Sequence, residues 1–424
     1  MLEQIMDRRN VEKALLSVIR NGGVGGVDGM QTDELRDYLH RNYQTLRKSV
    51  LESTYRPQAV KKVEIPKPGG GVRMLGIPTV LDRLLQQAIS QWMNQFYEPT
   101  FSEHSYGFRP RRNAHQAVRA AQRLLDGGKT WIVELDLEKF FDRVNHDKLM
   151  SLVSRRVQDK ATLRLIRQFL ESDIMEGGVQ SQRLEGTPQG SPLSPLLSNI
   201  MLHELDEELT RRGHSFVRYA DDCSIYVRSQ KSAHRVLENI TKYIENELRL
   251  KVNRTKSKIS RPTRSTLLGF SFYCPKGRWT IRIAEKSLER MKTKCKLMTS
   301  RSKGGNIHQK LDRLAPVIRG WVNYFCIAAA GRPLQRLDEL LRTRLRMCIW
   351  KEWKNCKTRV RNLLKLGAKH QKAYEWGNSS KGYCRIAQSP ILKTLLNNKY
   401  LSKLGYRSLL STYKAQIEMQ PTLF

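Results

Sequence analysis

The spacing of apolar and polar positions changes several times along the chain, and each change predicts a different element. Residues 80–97 carry apolar side chains at helical spacing, which predicts a helix. Residues 131–136 are a short apolar run that predicts a strand ending on a carboxylate. Residues 216–227 hold two β-prone runs around Asp221 and Asp222, and this pattern predicts a hairpin with the two acids at its tip.

The rest of the pattern is mainly helical. Residues 59–78 are an exception, because they mix apolar and basic positions around a Pro/Gly turn and predict two strands joined by a loop. Long basic amphipathic helices are predicted from about residue 285 onward. The other stretches predicted to be helical are residues 1–50, 145–172, 192–211 and 230–250.

The net charge of the chain indicates what kind of partner it binds. The 424 residues are enough for two to four domains. The formal net charge is +36, and residues 281–424 contribute +23 of it, from 31 Lys and Arg against 8 Asp and Glu. A protein this basic repels itself unless it meets a polyanion, so nucleic acid is the expected partner.

Several classes of protein are excluded by what the sequence lacks. The seven cysteines have no zinc-site spacing, and their wide separation favours a reduced cytosolic compartment. The first residues are polar, unlike a secretory signal. No apolar run is long enough to span a bilayer, so no membrane partner is expected.

Asp221 and Asp222 carry the strongest chemical signal. Adjacent carboxylates repel each other, so they are tolerated when water solvates them or cations share them. Taken alone, the pair fits a solvated turn equally well. Asp136 adds a carboxylate at the end of another apolar strand. Two Mg²⁺ ions held by such carboxylates catalyse in-line attack on a phosphate, so the three residues together predict a phosphoryl-transfer centre.

Eight short motifs follow one another along the chain. Residues 219–222 (Tyr-Ala-Asp-Asp) resemble a Y-x-D-D box, and Asp136 followed by Phe141 resembles a metal-binding motif that precedes such a box. The other six motifs are residues 63–67 with Arg73, 105–110, 187–195, 250–253 with Lys256, 267–270 and 319–325. The set and its order resemble the reverse transcriptases encoded by group II introns. The resemblance covers nearly the whole chain, and eight ordered motifs are far more specific than one.

The resemblance implies metal ligands and contacts to template or primer. Two Mg²⁺ ions, with Mn²⁺ as an alternative, would be held by Asp136, Leu137, Asp221 and Asp222, of which the three aspartates would be catalytic. The implied nucleic-acid contacts are Arg109, Tyr219, Gly269 and Phe270. Gly269 would let a primer backbone approach closely, although such a glycine also marks a bulge.

A second implied set would bind the dNTP: Lys67, Arg73, Phe141, Gln189 and Lys256. Lys67 and Arg73 would neutralise the triphosphate, and Phe141 would exclude a 2′-hydroxyl. Gln189 would contact nucleotide or template, and Lys256 would donate a proton to the leaving pyrophosphate. Taken singly, the cations fit solvated positions, Phe141 fits a core aromatic, and Gln189 fits a turn.

The resemblance also implies an α+β fold in the form of a right-hand polymerase. Residues 1–50 would be an N-terminal extension, and residues 51–280 would form fingers and a palm with an antiparallel sheet. Residues 281–360 would be a helical thumb of the maturase X type. Residues 361–424 would be a small basic DNA-binding region.

Enzymes of this family act as polymerase and maturase. We therefore expect an RNA-directed DNA polymerase that copies a group II intron RNA and binds it to assist splicing and mobility. Its partners would be the intron RNA, a DNA primer, target DNA and dNTPs. It would work in the bacterial cytoplasm, at the nucleoid when bound to DNA. Many members of the family carry a C-terminal endonuclease with paired cysteines. Since no paired cysteines follow residues 319–325, the endonuclease-lacking type is expected.

Two other functions fit part of the pattern. A defence-associated or retron-like reverse transcriptase would share the carboxylates, but residues 319–325 and the basic C-terminal part favour the intron-encoded kind. A splicing factor that only binds RNA would share the basic surface. The presence of Asp136, Asp221 and Asp222 favours an enzyme over that alternative.

Overall fold

The chain folds into two compact units, Met1–Ser265 and Thr266–Phe424. The computed structural model describes residues 1–66, 70–176, 179–183, 185–302 and 304–419, with the main chain alone for residue 73. Helices and sheets occur together, which confirms a mixed fold of the expected kind. The two units meet at residues 265/266, ahead of the boundary predicted at 280/281, and the four-domain division stays a prediction.

Two sheets form in the described part of the first unit. One has the strand order β2–β1–β4–β5, in which β1 and β4 are parallel and the other pairs antiparallel. The other has the order β6–β7–β3–β8 and is antiparallel throughout. The strands are β1 (Val60–Pro66), β2 (Val72–Ile77), β3 (Trp131–Leu135), β4 (Ile174–Glu176), β5 (Val179–Ser181), β6 (Ser215–Tyr219), β7 (Asp222–Val227) and β8 (Lys258–Ser260).

The three strand predictions are confirmed. β1 and β2 form the hairpin expected from residues 59–78, although its loop at residues 67–69 lies outside the described residues. β3 ends one residue before Asp136, and β6 with β7 forms the hairpin expected from residues 216–227.

Helices surround the two sheets of the first unit. The predicted helix at residues 80–97 forms with those bounds, and the Thr79 hydroxyl caps it by accepting from the Asp82 N–H at 3.1 Å. The helices are α1 (Leu2–Ile5), α2 (Arg8–Asn21), α3 (Leu35–Leu51), α4 (Val80–Tyr97), α5 (Ala114–Asp126), α6 (Phe140–Arg143), α7 (His146–Ser154), α8 (Lys160–Glu171), α9 (Ser194–Arg211) and α10 (Gln230–Asn246).

The predicted helical stretch at residues 145–172 is two helices rather than one. A break separates α7 from α8, because Asp159 takes an extended backbone and its carboxylate accepts from the Thr162 N–H at 3.1 Å. A side chain that caps a new helix competes with continuation of the previous one. The apolar spacing alone did not reveal this break.

The antiparallel sheet β6–β7–β3–β8 has two different faces. Val133, Leu135 and Ile225 join the main core of the first unit, together with apolar residues of α9 and α10. Because side chains alternate along a strand, Glu134 and Asp136 point to the opposite face. Glu134 and Asp136 therefore point away from the face that packs against α9 and α10.

The second unit begins with a hairpin and continues as helices. The strands are β9 (Phe270–Tyr273) and β10 (Thr280–Ile283). The helices are α11 (Glu285–Met298), α12 (Ile307–Phe325), α13 (Gly331–Glu352), α14 (Cys356–Lys365), α15 (His370–Gly377), α16 (Tyr383–Ala387), α17 (Pro390–Leu395), α18 (Asn398–Lys403) and α19 (Leu409–Glu418).

The prediction of long basic helices holds for α11 to α13 and is wrong beyond α14. From α15 to α19 the helices have between five and ten residues. Ser389, Asn397 and Ser408 each cap a new helix there, so the helical stretch is repeatedly restarted. Among the helices of the described ranges, none combines the length and apolar character that a bilayer span requires.

Candidate active site

The turn between β6 and β7 carries the paired aspartates. Tyr219 of β6 pairs with Asp222 of β7, which leaves Ala220 and Asp221 as the two turn residues. Ala220 has a φ of 57°, in the left-handed region that a residue with a side chain rarely adopts. This tight turn places both carboxylates at one end of the hairpin.

Asp136 lies at the same edge of the sheet. β3 is the neighbour of β7, and Leu135 pairs with Cys223, so the next residue, Asp136, stands across from Asp222. Directly opposed residues of an antiparallel pair have Cβ atoms about 4.5–5.5 Å apart. The strand register therefore brings together the three aspartates that the motifs had singled out.

The crowding of negative charge changes the chemistry of Asp222. Part of this residue reaches solvent, but the surrounding protein removes much of the water from its carboxylate. This desolvation, followed by the negative charges of Asp221, Asp136 and Glu134, raises the pKa of Asp222 to about 6. Lys256 opposes the shift, and its Nζ lies 3.6 Å from Asp136 Oδ1.

The donor set suits a hard divalent cation in its chemistry. Across the described residues no group of three His, Cys, Asp or Glu side chains is arranged to hold a metal ion. Mg²⁺ nevertheless prefers carboxylate oxygens, and a cation would relieve the repulsion that adds to desolvation in raising the pKa of Asp222. The side chain of Leu137 is buried and apolar, so its main-chain carbonyl is the only group that it offers.

Comparisons with known proteins agree with this geometry. The profile of the reverse transcriptase (RNA-dependent DNA polymerase) family matches residues 65–272, which include the three aspartates. The profile of the group II intron maturase-specific domain matches residues 288–367. Protein YkfC of Escherichia coli (strain K12) is 35% identical over 272 residues, 55% of this chain and 71% of YkfC. The chain belongs to the group II intron reverse transcriptase family.

Other relatives match a smaller share of their own length. Group II intron-encoded protein LtrA of Lactococcus lactis subsp. cremoris is 33% identical over 232 residues, 54% of this reverse transcriptase and 38% of LtrA. The chain thus aligns with less than half of LtrA. Among solved structures, the partial Cas6-RT-Cas1–Cas2 complex covers 58% of this chain and 42% of its own, with 23% identity and a TM-score of 0.35. That score supports no conclusion about this chain.

Two predicted dNTP contacts of the reverse transcriptase line one cavity. Phe141 and Gln189 share an opening of about 500 Å³ with Phe108 and Arg83. The ring of Phe141 is half-buried and lies edge-on to the ring of Phe108, with centroids 6.4 Å apart. Phe141 is therefore both packed on one side and presented to a cavity on the other.

The structure describes the remaining predicted dNTP contacts to different extents. Lys67 lies outside the described residues. The main chain of Arg73 is in β2, where it pairs with Ile65 of β1. Lys256 lies in the last turn before β8, and its Nζ is 3.6 Å from Asp136 Oδ1. Its predicted role toward the dNTP stays a prediction.

Arg109 corrects one prediction, because its guanidinium is used inside the protein. The side chain is 5% exposed, and its Nη2 lies 2.9 Å from Glu98 Oε1. Its Nη1 donates to the carbonyl oxygen of Ser105 at 2.9 Å. A buried arginine whose N–H groups are already paired is not offered to a phosphate, so Arg109 is a loop anchor rather than a nucleic-acid contact.

Phe270 is a second correction. Its side chain has no exposed surface, and its ring packs against those of Tyr324 and Phe325 at centroid distances of 5.4 Å and 4.9 Å. This residue belongs to the core of the second unit because an aromatic ring gains most from complete burial. Its side chain is therefore not a nucleic-acid contact.

Gly269 occupies a tight turn rather than a bulge. Leu267 and Phe270 exchange two main-chain hydrogen bonds across it, and Leu268 and Gly269 have φ values of 52° and 82°. A Cβ on Gly269 would lie 3.0 Å from Ser287 Oγ, so packing within the protein already favours glycine. The primer contact at Gly269 stays a prediction, as does the one at half-buried Tyr219.

Sequence reasoning missed a buried group beneath the hairpin. Arg218 and Asp206 have no exposed surface and form a bidentate ion pair, with Nε–Oδ1 at 2.7 Å and Nη2–Oδ2 at 2.5 Å. The signal was present in the sequence: Arg218 has the same parity as Phe216, so it points into the core and requires a buried acceptor. What the sequence did not reveal was which carboxylate supplies it.

Proposed function

We propose that this reverse transcriptase copies a group II intron RNA into DNA and binds the same RNA to assist its splicing and mobility. Support comes from two profile matches within one chain, the polymerase at residues 65–272 and the maturase-specific domain at residues 288–367. The likeness to LtrA, which is named a group II intron-encoded protein, supports intron RNA as the template.

The observation that carries the proposal is the strand register that sets Asp136 across from Asp222, with Asp221 in the adjoining turn. In the proposed reaction, the 3′-hydroxyl of a DNA primer attacks the α-phosphate of a dNTP and pyrophosphate leaves. Two Mg²⁺ ions, or Mn²⁺ in their place, would supply activation of that hydroxyl and stabilisation of the leaving oxygen. The three carboxylates and the carbonyl of Leu137 would be the ligands.

Residues around the carboxylates would orient and select the dNTP. Lys256 would give a proton to pyrophosphate, which its approach to Asp136 supports. Phe141 would lie beneath the sugar and clash with a 2′-hydroxyl, and Gln189 would contact the nucleotide from the same cavity. Lys67 and Arg73 would neutralise the triphosphate.

We assign the parts of a right-hand polymerase as follows. The antiparallel sheet β6–β7–β3–β8 would be the palm, because it carries the aspartates. The β1–β2 hairpin would belong to the fingers, and α11 to α13 would form the thumb. Residues 361–424 would form the DNA-binding region, in agreement with their basic composition.

The nucleic-acid partners would be intron RNA as template, a DNA primer and target DNA. Lys357, Arg361 and Lys365 are exposed and follow one another at four-residue spacing on α14, so they present one basic stripe to solvent. Such a stripe binds phosphates and makes affinity fall as salt rises. The need for target DNA places the protein at the bacterial nucleoid when it is bound.

Primer extension tests the proposed reaction. The assay contains purified protein, an RNA template, an annealed DNA primer, dNTPs and Mg²⁺, and compares wild type with Asp221→Ala. The matched control is Asp147→Ala, which removes another carboxylate of the first unit that is 74% exposed and pairs with surface Arg167. Extension by wild type and the control, with none by Asp221→Ala, is the expected result.

RNA binding by the same preparations separates the two halves of the proposal. All three proteins should bind the intron RNA with similar affinity. A folded wild type that binds RNA tightly and makes no DNA would contradict the polymerase and leave an RNA-binding splicing factor.

A further inference from the structure

The hairpin that carries Asp221 and Asp222 rests on a completely buried polar network. Arg218 and Asp206 are 0% exposed and Asn199 is 1% exposed. Asp206 and Asn199 belong to α9, whereas Arg218 belongs to β6, so the network ties a core helix to the strand that leads into the turn. None of the three residues lies among the motif residues to which the resemblance gave a role.

The guanidinium of Arg218 divides its donors between the helix and the turn. Its Nε and Nη2 donate to the two carboxylate oxygens of Asp206. Its Nη1 donates to the carbonyl oxygen of Ala220 at 3.0 Å and to Asn199 Oδ1 at 3.1 Å. The planar fork fixes these directions relative to one another, so the position of Asp206 sets the position of the Ala220 carbonyl.

A second contact reaches the same turn from residues 104–107. Asn199 Nδ2 donates to the carbonyl oxygen of Gly107 at 3.0 Å. The main chain of Arg218 exchanges hydrogen bonds with this segment, donating to His104 and accepting from Tyr106, both at 2.9 Å. Asn199 thus holds Arg218 with its oxygen and Gly107 with its nitrogen.

Gly107 presses directly on the turn. A Cβ at this position would lie 2.2 Å from the main-chain nitrogen of Ala220, a distance that no side chain tolerates. Ala220 also has its φ in the left-handed region, a conformation that persists only where the surroundings impose it. The packing of Gly107 and the hydrogen bond from Arg218 together hold Ala220 in this conformation.

We propose that Arg218, Asp206 and Asn199 are positioning residues for the polymerase reaction, which hold the turn so that Asp221 and Asp222 meet the reacting phosphate and its metal ions. This inference rests on the proposed function of the three aspartates. None of the three positioning residues touches substrate. Their effect reaches the reaction through the Ala220 carbonyl and the Gly107 contact.

A role in stability alone would not require this arrangement. A buried ion pair is weak support for a fold, because well-packed apolar residues of similar size often stabilise it as well or better. Apolar residues would not direct an N–H group at the Ala220 carbonyl or bridge to Gly107. The network is therefore arranged to set the conformation of the turn as well as to fill space.

The test uses the full chain in the primer-extension assay, with Asn199→Ala as the first variant, because it removes both bridging bonds and leaves the ion pair. Arg218→Lys is the second, since it keeps the charge and loses the fork. The matched control is Glu208→Gln, which removes an acid on the same helix that pairs with Arg211 and Arg212. Rates are measured against dNTP and against Mg²⁺ concentration, together with thermal unfolding.

Misplacement of reacting groups by about 1 Å costs about 10²-fold in rate, so we expect kcat of Asn199→Ala and Arg218→Lys to fall by about 10- to 100-fold. The dNTP KM and the affinity for the RNA–DNA duplex should stay within about twofold, because those contacts are made elsewhere. The Mg²⁺ concentration at half-maximal rate should rise, because the carboxylates no longer converge. Glu208→Gln should match wild type in kcat, dNTP KM, duplex affinity and Mg²⁺ dependence.

Several results would overturn the proposal. If both variants are folded and extend primers at the wild-type rate and Mg²⁺ dependence, the network does not position the turn. The proposal also fails if the unfolded fraction of each variant accounts for its lower rate and the folded fraction keeps the wild-type Mg²⁺ dependence. If Arg218→Lys does not fold, Asn199→Ala decides alone. An inactive wild type would instead refute the proposed polymerase function.

Discussion

The two compact units place their charges in opposite ways. In the first, Arg218 and Asp206 are wholly buried, and Asp222 shares one sheet edge with other carboxylates. In the second, a net charge of +23 over residues 281–424 is spread over many side chains, such as exposed Arg361 and Lys365. Interactions between charges are strong where water is scarce and screened where it is abundant. A single substitution should therefore do much in the first unit and little in the second.

The sharpest test of this contrast removes one carboxylate at the sheet edge. Asp222→Ala should lower the rate of primer extension by about 10³-fold or more, since charge stabilisation by metal ions contributes several kcal/mol to the barrier. RNA affinity, measured by filter binding, should change less than twofold. The exposed carboxylate of Asp147 provides the control, and a residual rate near wild type for Asp222→Ala would contradict the site.

A second test seeks an exception in the basic unit. Asp338 on α13 is 1% exposed and accepts from the hydroxyls of Tyr406 and Ser408, both at 2.6 Å, and from the N–H groups of Leu409 and Leu410. It thereby anchors the start of α19.

Asp338→Ala would leave these buried donors without an acceptor. We expect it to lower the free energy of unfolding by about 3 kcal/mol, measured by urea denaturation with tryptophan fluorescence. Glu339→Ala is the adjacent exposed control, expected to change stability by less than about 0.5 kcal/mol. If both substitutions change the free energy of unfolding equally, the burial of a charged residue does not decide its contribution to stability in this unit.

A third test uses pH. The pKa of Asp222 is raised to about 6, whereas the pKa of an aspartate in an unfolded chain is about 3.9. Between these values the folded protein binds more protons than the unfolded chain, so the contribution of Asp222 to stability falls as pH rises and stays lower above pH about 6. At pH 8, without divalent cations, Asp222→Asn should raise the melting temperature by a few degrees.

Calorimetry at several pH values checks this sign. The difference between Asp222→Asn and wild type should shrink as the pH falls towards about 3, where the aspartate is mostly protonated in both states. Mg²⁺ at pH 8 should raise the melting temperature of wild type more than that of the variant. A variant less stable than wild type at pH 8 would mean that the neighbouring carboxylates do not repel Asp222.

The smallest effect is expected from a single exposed cation of the second unit. Arg361→Ala should weaken RNA binding about two- to threefold and reduce the slope of log affinity against log salt by about one unit or less. Replacing Lys357, Arg361 and Lys365 together should lower the slope further. An affinity that does not change with salt in wild type would contradict the role of the basic surface.

Much of the fold followed from the spacing of apolar residues. The helix at residues 80–97 and the hairpin at residues 216–227 formed within a residue or two of their predicted bounds. Such elements depend on side chains a few positions apart, so a single chain reveals them. The break between α7 and α8 was missed because the Asp159 cap starts a new helix, while the apolar residues on either side keep a helical spacing.

The grouping of the three carboxylates was predictable from the motifs and from the strands that precede them. Asp136, Asp221 and Asp222 meet at one edge, as the motifs implied. Arg109 and Phe270 were wrong for a common reason: a motif gives the type of residue, and it does not say whether the side chain points to solvent or to the core.

The period of each element, the basic character of the last third and the order of the motifs can all be read from the chain, because they are properties of neighbouring residues. The folded structure was needed to show that Arg218 pairs with Asp206 on α9 and that Gly107 packs against Ala220. Those contacts join different elements of the chain, and the local spacing of residues does not reveal which elements meet. Burial then turns them into constraints, since a charge removed from water must be paired where it lies.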